Sequence, residues 1–137
     1  FIMEISMSYV DDEKFQVKNA SGNKLIIDMY SQEKKKNLSP MELLLSAVAS
    51  CAAVEIVSMI RKRRRDFQDI KAEVSGRRAE NHPKFFKLIT IHYLIYSLDL
   101  TDAEAERFIS LSLEKYCSVG STINEKTNII HSFEIKR

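Results

Sequence analysis

Eighteen consecutive residues, 43–60, carry no basic side chain and lie inside the stretch SPMELLLSAVASCAAVEIVSMIRKRRR, residues 39–65. Only Ser46, Ser50, Glu55 and Ser58 interrupt the apolar and small residues of that run. The stretch opens with a helix-start signature. Ser39 can cap the free backbone N–H groups, Pro40 lacks an N–H and suits the first helical position, and Glu42 can reach back to the cap residue. A helix that is apolar nearly all round must be buried nearly all round. At 1.5 Å per residue, about 26 residues make a rod about 39 Å long. That length is comparable with the whole diameter expected of a domain of 137 residues. One small sheet from the same chain hardly covers it, so a second subunit is expected to complete the cover and a homodimer is predicted.

The same run just reaches the length of a membrane span. Against that reading stand Glu55 near its centre, the serines, and basic clusters on both flanks (Lys34 to Lys36, Arg61 to Arg65), where an orientation bias would gather them on one side. No membrane association is expected. The chain begins Phe1-Ile2-Met3, without the basic, apolar and small-residue segments of an export signal in sequence, which favours the cytoplasm. A net charge of +2 gives no argument for nucleic acid. The five cations Arg61-Lys62-Arg63-Arg64-Arg65 read as the complement of the negative helix end. With three Gly and two Pro there is little room for a linker, and a single domain over residues 1–137 is the economical organisation.

Met3, Ile5, Met7 and Tyr9 alternate with polar residues, the period of a half-buried strand. Phe15 to Lys18 and Lys24 to Tyr30 are two further strand candidates, joined by the hairpin turn residues Asn19-Ala20-Ser21-Gly22-Asn23. After the central helix, Ile70, Ala72 and Val74 alternate with polar residues. Phe85 to Ser97 is the longest strand candidate, with Phe86, Leu88, Thr90, His92, Leu94 and Tyr96 on one face and Lys87, Ile89, Ile91, Tyr93 and Ile95 on the other. Thr101-Asp102-Ala103-Glu104 is a second capping box, opening an amphipathic helix that ends near Tyr116. Asn128 to Lys136 reads as a closing strand. Three strands, a long helix, two strands, a short helix and a strand predict an α+β fold with mostly antiparallel sheets around the long helix.

Cys51 lies in the middle of the apolar helix among Ala47, Ala49, Ala52 and Ala53, small neighbours that leave room at the sulfur. Cys117 follows the end of the second helix. Two cysteines and three histidines (His82, His92, His131) without paired spacing give neither a redox Cys-x-x-Cys nor a zinc site, so no metal and no cofactor are expected. A permanent disulfide is disfavoured in a chain without an export signal. The residues leave two alternatives open, a pair of inert buried thiols or a reactive pair.

Leu38-Ser39-Pro40-Met41-Glu42-Leu43-Leu44-Leu45, running into Ala49-Ser50-Cys51, resembles the central-helix motif of the OsmC/Ohr family, osmotically inducible protein C and organic hydroperoxide resistance protein. His82-Pro83 before a long strand, the Thr101 helix, and Tyr116-Cys117-Ser118-Val119 before the last strand extend the resemblance over essentially the whole chain. It implies an OsmC-like, intertwined homodimer whose two long helices are sandwiched between sheets built from both chains. It also implies a thiol-dependent peroxidase acting on organic hydroperoxides, with Cys51 as the peroxidatic and Cys117 as the resolving cysteine, and a dithiol reductant as partner. Family members activate the peroxidatic thiol with an arginine from an N-terminal loop and a glutamate directly after the helix-start proline. Here no arginine precedes Arg61, and Met41 follows Pro40. The N-terminal loop offers Lys24, which lacks the planar fork of arginine. Glu42 stands one residue late, about 100° round the helix, where capping is its expected role. Glu55, one turn beyond Cys51, shares its face; alone it opposes thiolate formation, whereas paired with a cation it organises a different site. A non-catalytic dimer binding a small hydrophobic ligand between its subunits is the alternative reading.

Overall fold

The computed structural model describes all 137 residues, and helix α1 runs over Pro40–Lys62. Its start is the expected capping box: the Ser39 N–H donates to Glu42 Oε1 at 2.9 Å and the Glu42 N–H to Ser39 Oγ at 3.2 Å. Its end comes before Arg65. Arg64 takes a left-handed conformation (φ 61), and the N–H groups of Arg65 and Arg64 return to the carbonyls of Ile60 and Arg61. This is a Schellman stop, with arginine where glycine is usual.

The chain forms two compact units, Phe1–Leu44 and Leu45–Arg137. In the first, β1 (Ile5–Asp11), β2 (Lys14–Asn19) and β3 (Lys24–Asp28) make an antiparallel sheet in that order. The β2–β3 turn closes through Asn19 and Asn23 with Gly22 at φ 87, a conformation that costs a residue without Cβ nothing. The alternation read in β1 is present, but every residue of the strand is exposed within the chain, Ile5, Met7 and Tyr9 by 64–65%. A fully buried Asp28 ties the segment after β3. It accepts from the Lys35 ammonium, the Lys36 and Asn37 N–H groups and the Asn37 amide at 2.8–3.1 Å. Burial alone would raise its pKa, but these donors outweigh it and hold the carboxyl far below the carboxylate range.

In the second unit, β4 (Asp69–Arg78), β5 (Phe86–Tyr96) and β6 (Asn128–Lys136) form the other sheet. β4 and β5 pair antiparallel with Val74 opposite Ile91, which puts Ile70, Ala72 and Val74 on the face of Ile89, Ile91, Tyr93 and Ile95. Those four β5 residues are completely buried, as the alternation in the sequence requires. β6 pairs parallel to β5, an exception to the expected antiparallel sheets. A parallel return needs a crossover, and α2 (Asp102–Leu111) and α3 (Ser118–Ile123) supply it. Thr101 and Glu104 form the capping box that starts α2. The helix read as continuing to Tyr116 instead loosens at Leu111 into a π-helical turn, Ser112–Tyr116, and a short α3 follows that the sequence did not suggest.

Candidate functional site

Helix α1 presents Cys51 half-buried at its middle, flanked by Val48 and Ala52, both fully buried, and Ala49. The alanines allow side chains from other elements to reach the helix backbone. Tyr93 Oη donates to the Ala49 carbonyl at 2.8 Å, Ser112 Oγ to the Ala52 carbonyl at 2.7 Å, and the Cys117 thiol points to the Val48 carbonyl at 3.8 Å. Three donors, from β5, the π-helical turn and the residue after it, thus converge on one turn and a little more of α1 around Cys51. The π-helical turn is what delivers Cys117: its N–H closes onto the Ser112 carbonyl at 2.7 Å, and Cys117 then caps α3.

Cys51 and Cys117 are both free thiols, and the Val48 carbonyl that Cys117 approaches lies three residues before Cys51 on α1. Cys117 is almost fully buried, whereas Cys51 retains access. Burial pushes the Cys117 thiol above its ordinary pKa. Cys51 adds to the rise, and the N–H groups of Gly120 (3.2 Å from Sγ) and Val119 pull the other way without reversing it. Tyr93 completes the cluster: burial first, then the two neighbouring sulfurs, raise its phenol far enough that it stays a donor. The cluster therefore gathers an accessible thiol, a buried thiol and a phenol that stays protonated around one stretch of α1. Such a pair can pass between dithiol and disulfide if the sulfurs close to about 2.05 Å. No group of three or more His, Cys, Asp or Glu side chains is arranged to hold a metal.

Glu55 is half-buried one turn after Cys51, and its carboxylate makes no hydrogen bond or ion pair within the chain. Glu42 belongs to the Phe1–Leu44 unit and is engaged there. Its carboxyl is held below the ordinary range by the Ser39 N–H and hydroxyl, with the Lys35 ammonium at 3.4 Å. The cation beside Glu42 is thus Lys35, which also pairs with Asp28. Lys24 is exposed at the start of β3, its backbone paired with Lys18. Sequence reasoning missed Tyr93 and Ser112 as parts of this cluster. The available signal was the polar tip of Tyr93 among Ile89, Ile91 and Ile95 on the buried strand face; Ser112 gave none.

A family model described as OsmC-like protein matches residues 33–132. Protein YhfA of Escherichia coli K12 is 35% identical over 133 residues, 97% of this chain and 98% of its own length. A protein of known crystal structure from Aquifex aeolicus VF5 superposes with a TM-score of 0.87 at 32% identity, covering 99% of this chain and 97% of its own. The organic hydroperoxide resistance protein OhrB of Bacillus subtilis shares the fold, with a TM-score of 0.67 at 14% identity and 98% of each chain covered.

Proposed function

This chain belongs to the OsmC-like protein family, and from that premise we propose that it is a thiol-dependent peroxidase reducing organic hydroperoxides through Cys51 and Cys117. The observation that supports it is that a buried free thiol, Cys117, reaches the Val48 carbonyl on the turn of α1 that carries the more accessible free thiol of Cys51. In the first step the Cys51 thiolate attacks the distal peroxide oxygen. An S–O bond forms, the O–O bond breaks, and the alkoxide takes a proton and leaves as the alcohol. Cys117 then attacks the Cys51 sulfenic acid, forming the disulfide and releasing water, and an external dithiol returns the two electrons. The protein is a poor catalyst of this cycle, because neither Met41 nor Lys24 supplies the carboxylate-held guanidinium that family members place beside the sulfur.

A homodimer is part of the same reading. Only 28% of the apolar stretch of α1 is buried within the chain, and Val54 is 67% exposed. Together with the uncovered β1, this leaves more apolar surface than a monomer usually carries. The exposed face of α1 lines a groove of about 600 Å³ with Ala53, Val54 and Val57. That groove favours a second reading, in which the dimer binds a small hydrophobic ligand between its subunits and does no chemistry. Consumption of cumene hydroperoxide with dithiothreitol separates the two. The peroxidase reading expects turnover that Cys51→Ser abolishes and Cys117→Ser strongly impairs; no turnover above the Cys51→Ser level overturns it. Sedimentation of a species of 15.8 kDa at micromolar concentration would remove the dimer.

A further inference from the structure

A second cleft opens where the last turns of α1 meet α2, about 12 Å along the helix from Cys51 at 1.5 Å per residue. Its volume is about 440 Å³, within the range of small-ligand sites. Met59, Phe108 and Leu111 make an apolar floor, and Lys62, Arg63, Arg107 and Glu104 make the rim. The rim charges do not cancel. Glu104 accepts from Arg63 Nε and Arg65 Nε, each at 2.9 Å, and also from the Thr101 N–H in the capping box, so its carboxylate is fully committed. Lys62 and Arg107 form no ion pair. Two unmatched cations over an apolar floor are the complement of an anion with an apolar body. A bare anion would leave the floor unused, and a neutral apolar molecule would leave the cations unmatched.

We infer that this cleft binds a small amphiphilic carboxylate, an acyl or aryl acid, with its carboxylate between Lys62 and Arg107 and its apolar part on Met59, Phe108 and Leu111. Glu104 has the positioning role, engaging Arg63 and Arg65 and fixing the end of α1 against the start of α2. Lys62 also borders the groove along the Val54 face, but Met59 lies about 140° round the helix from Val54, so a subunit covering Val54 leaves the floor of the cleft open.

Calorimetric titration of the full-length protein with octanoate, octanol and acetate tests this. Octanoate is expected to bind saturably and at least tenfold more tightly than either of the others. Lys62→Gln and Arg107→Gln should each weaken octanoate about three- to tenfold, as loss of one partly exposed charge-assisted contact does, and the double variant more. The exposed Arg77→Gln should change nothing. Equal affinity for octanol, equal affinity for acetate, or a double variant that binds like the wild type overturns the inference. Cys51→Ser is expected to leave octanoate binding intact, so the cleft stands or falls separately from the thiol cycle; loss of binding in that variant would move the ligand to the cysteines and refute this site.

Discussion

The hydroxyl of Tyr93, at the centre of β5, donates a 2.8 Å hydrogen bond to the carbonyl of Ala49, two residues before Cys51. Because the Ala49 carbonyl is already a helix acceptor, Tyr93 adds a second bond to it and pins the helix to the sheet at the level of the thiols. Tyr93→Phe keeps the ring and removes only that bond, so it should destabilise the protein by about 1 kcal/mol in urea denaturation. It should also loosen the register of Cys51 against Cys117 and slow disulfide formation under mild oxidation. An unchanged midpoint together with an unchanged oxidation rate would show that the bond neither stabilises nor positions.

Gly76 sits on β4 opposite Ile89, where a Cβ would overlap the ring of buried Phe86 (Cδ1 at 2.5 Å) and approach Leu45 Cδ2 at 3.1 Å. The ring is held in the core and cannot step aside cheaply. Gly76→Ala is therefore expected to cost about 1–3 kcal/mol, although alanine is the better strand residue in isolation. A denaturation midpoint equal to or above that of the wild type would mean that Phe86 repacks freely.

Glu104 links the cap of α2 to the end of α1 and gives stability a sign in acid. Hydrogen bonds from Arg63, then from the Thr101 N–H and from Arg65, bring its pKa from 4.5 to about 2 despite partial burial. In that interval the folded chain holds fewer protons than the unfolded one, so stability rises with pH. The contribution is complete above 4.5 and is lost as pH falls through about 2. Glu104→Gln should therefore be less stable than the wild type at about pH 6, with the gap narrowing at about pH 3. A gap that stays constant over that range would mean the carboxylate charge contributes nothing.

Much of this arrangement was legible in the sequence wherever a local rule acted alone. The cap at Ser39 and Glu42, the alternation that buries Ile89, Ile91 and Ile95, and the box at Thr101 each depend on residues within one turn or one strand. What escaped depends on partners far along the chain. The parallel pairing of β6 follows from how the crossover returns, not from the alternation of Ile129, His131 and Phe133. The Asp28 knot needs donors seven to nine residues later with no periodicity to announce them. The π-helical turn at Ser112–Tyr116 looks like more of the same helix, yet it brings the Cys117 thiol to the Val48 carbonyl, on the turn of α1 that carries Cys51. The extent of α1 was overread by three residues, because nothing in Arg63-Arg64-Arg65 signals a left-handed stop normally made by glycine.

Under the proposed peroxidase reading, the charge of Glu55 is the feature to test next. Its carboxylate lies one helical turn from Cys51 and forms no ion pair within the chain. Under that reading the N-terminal-loop arginine that the family resemblance implies is missing, and losing a charge-assisted contact worth roughly 1.5–3 kcal/mol slows attack about 10- to 150-fold where the contact acts in the transition state. If Glu55 only represses the thiol, Glu55→Gln should raise the rate of Cys51 alkylation by iodoacetamide at neutral pH and raise peroxide turnover with it. If instead a cation of a second subunit meets Glu55, the carboxylate organises the site, and the same substitution should lower both rates. The expected outcome from the chain as it stands is the rise, because Glu55 forms no ion pair within the chain. A fall in both rates would overturn that expectation and make Glu55 a working part of the peroxidase. A rise in alkylation with no turnover in either protein would leave the thiols reactive but idle, and the ligand-binding dimer would then be the better reading.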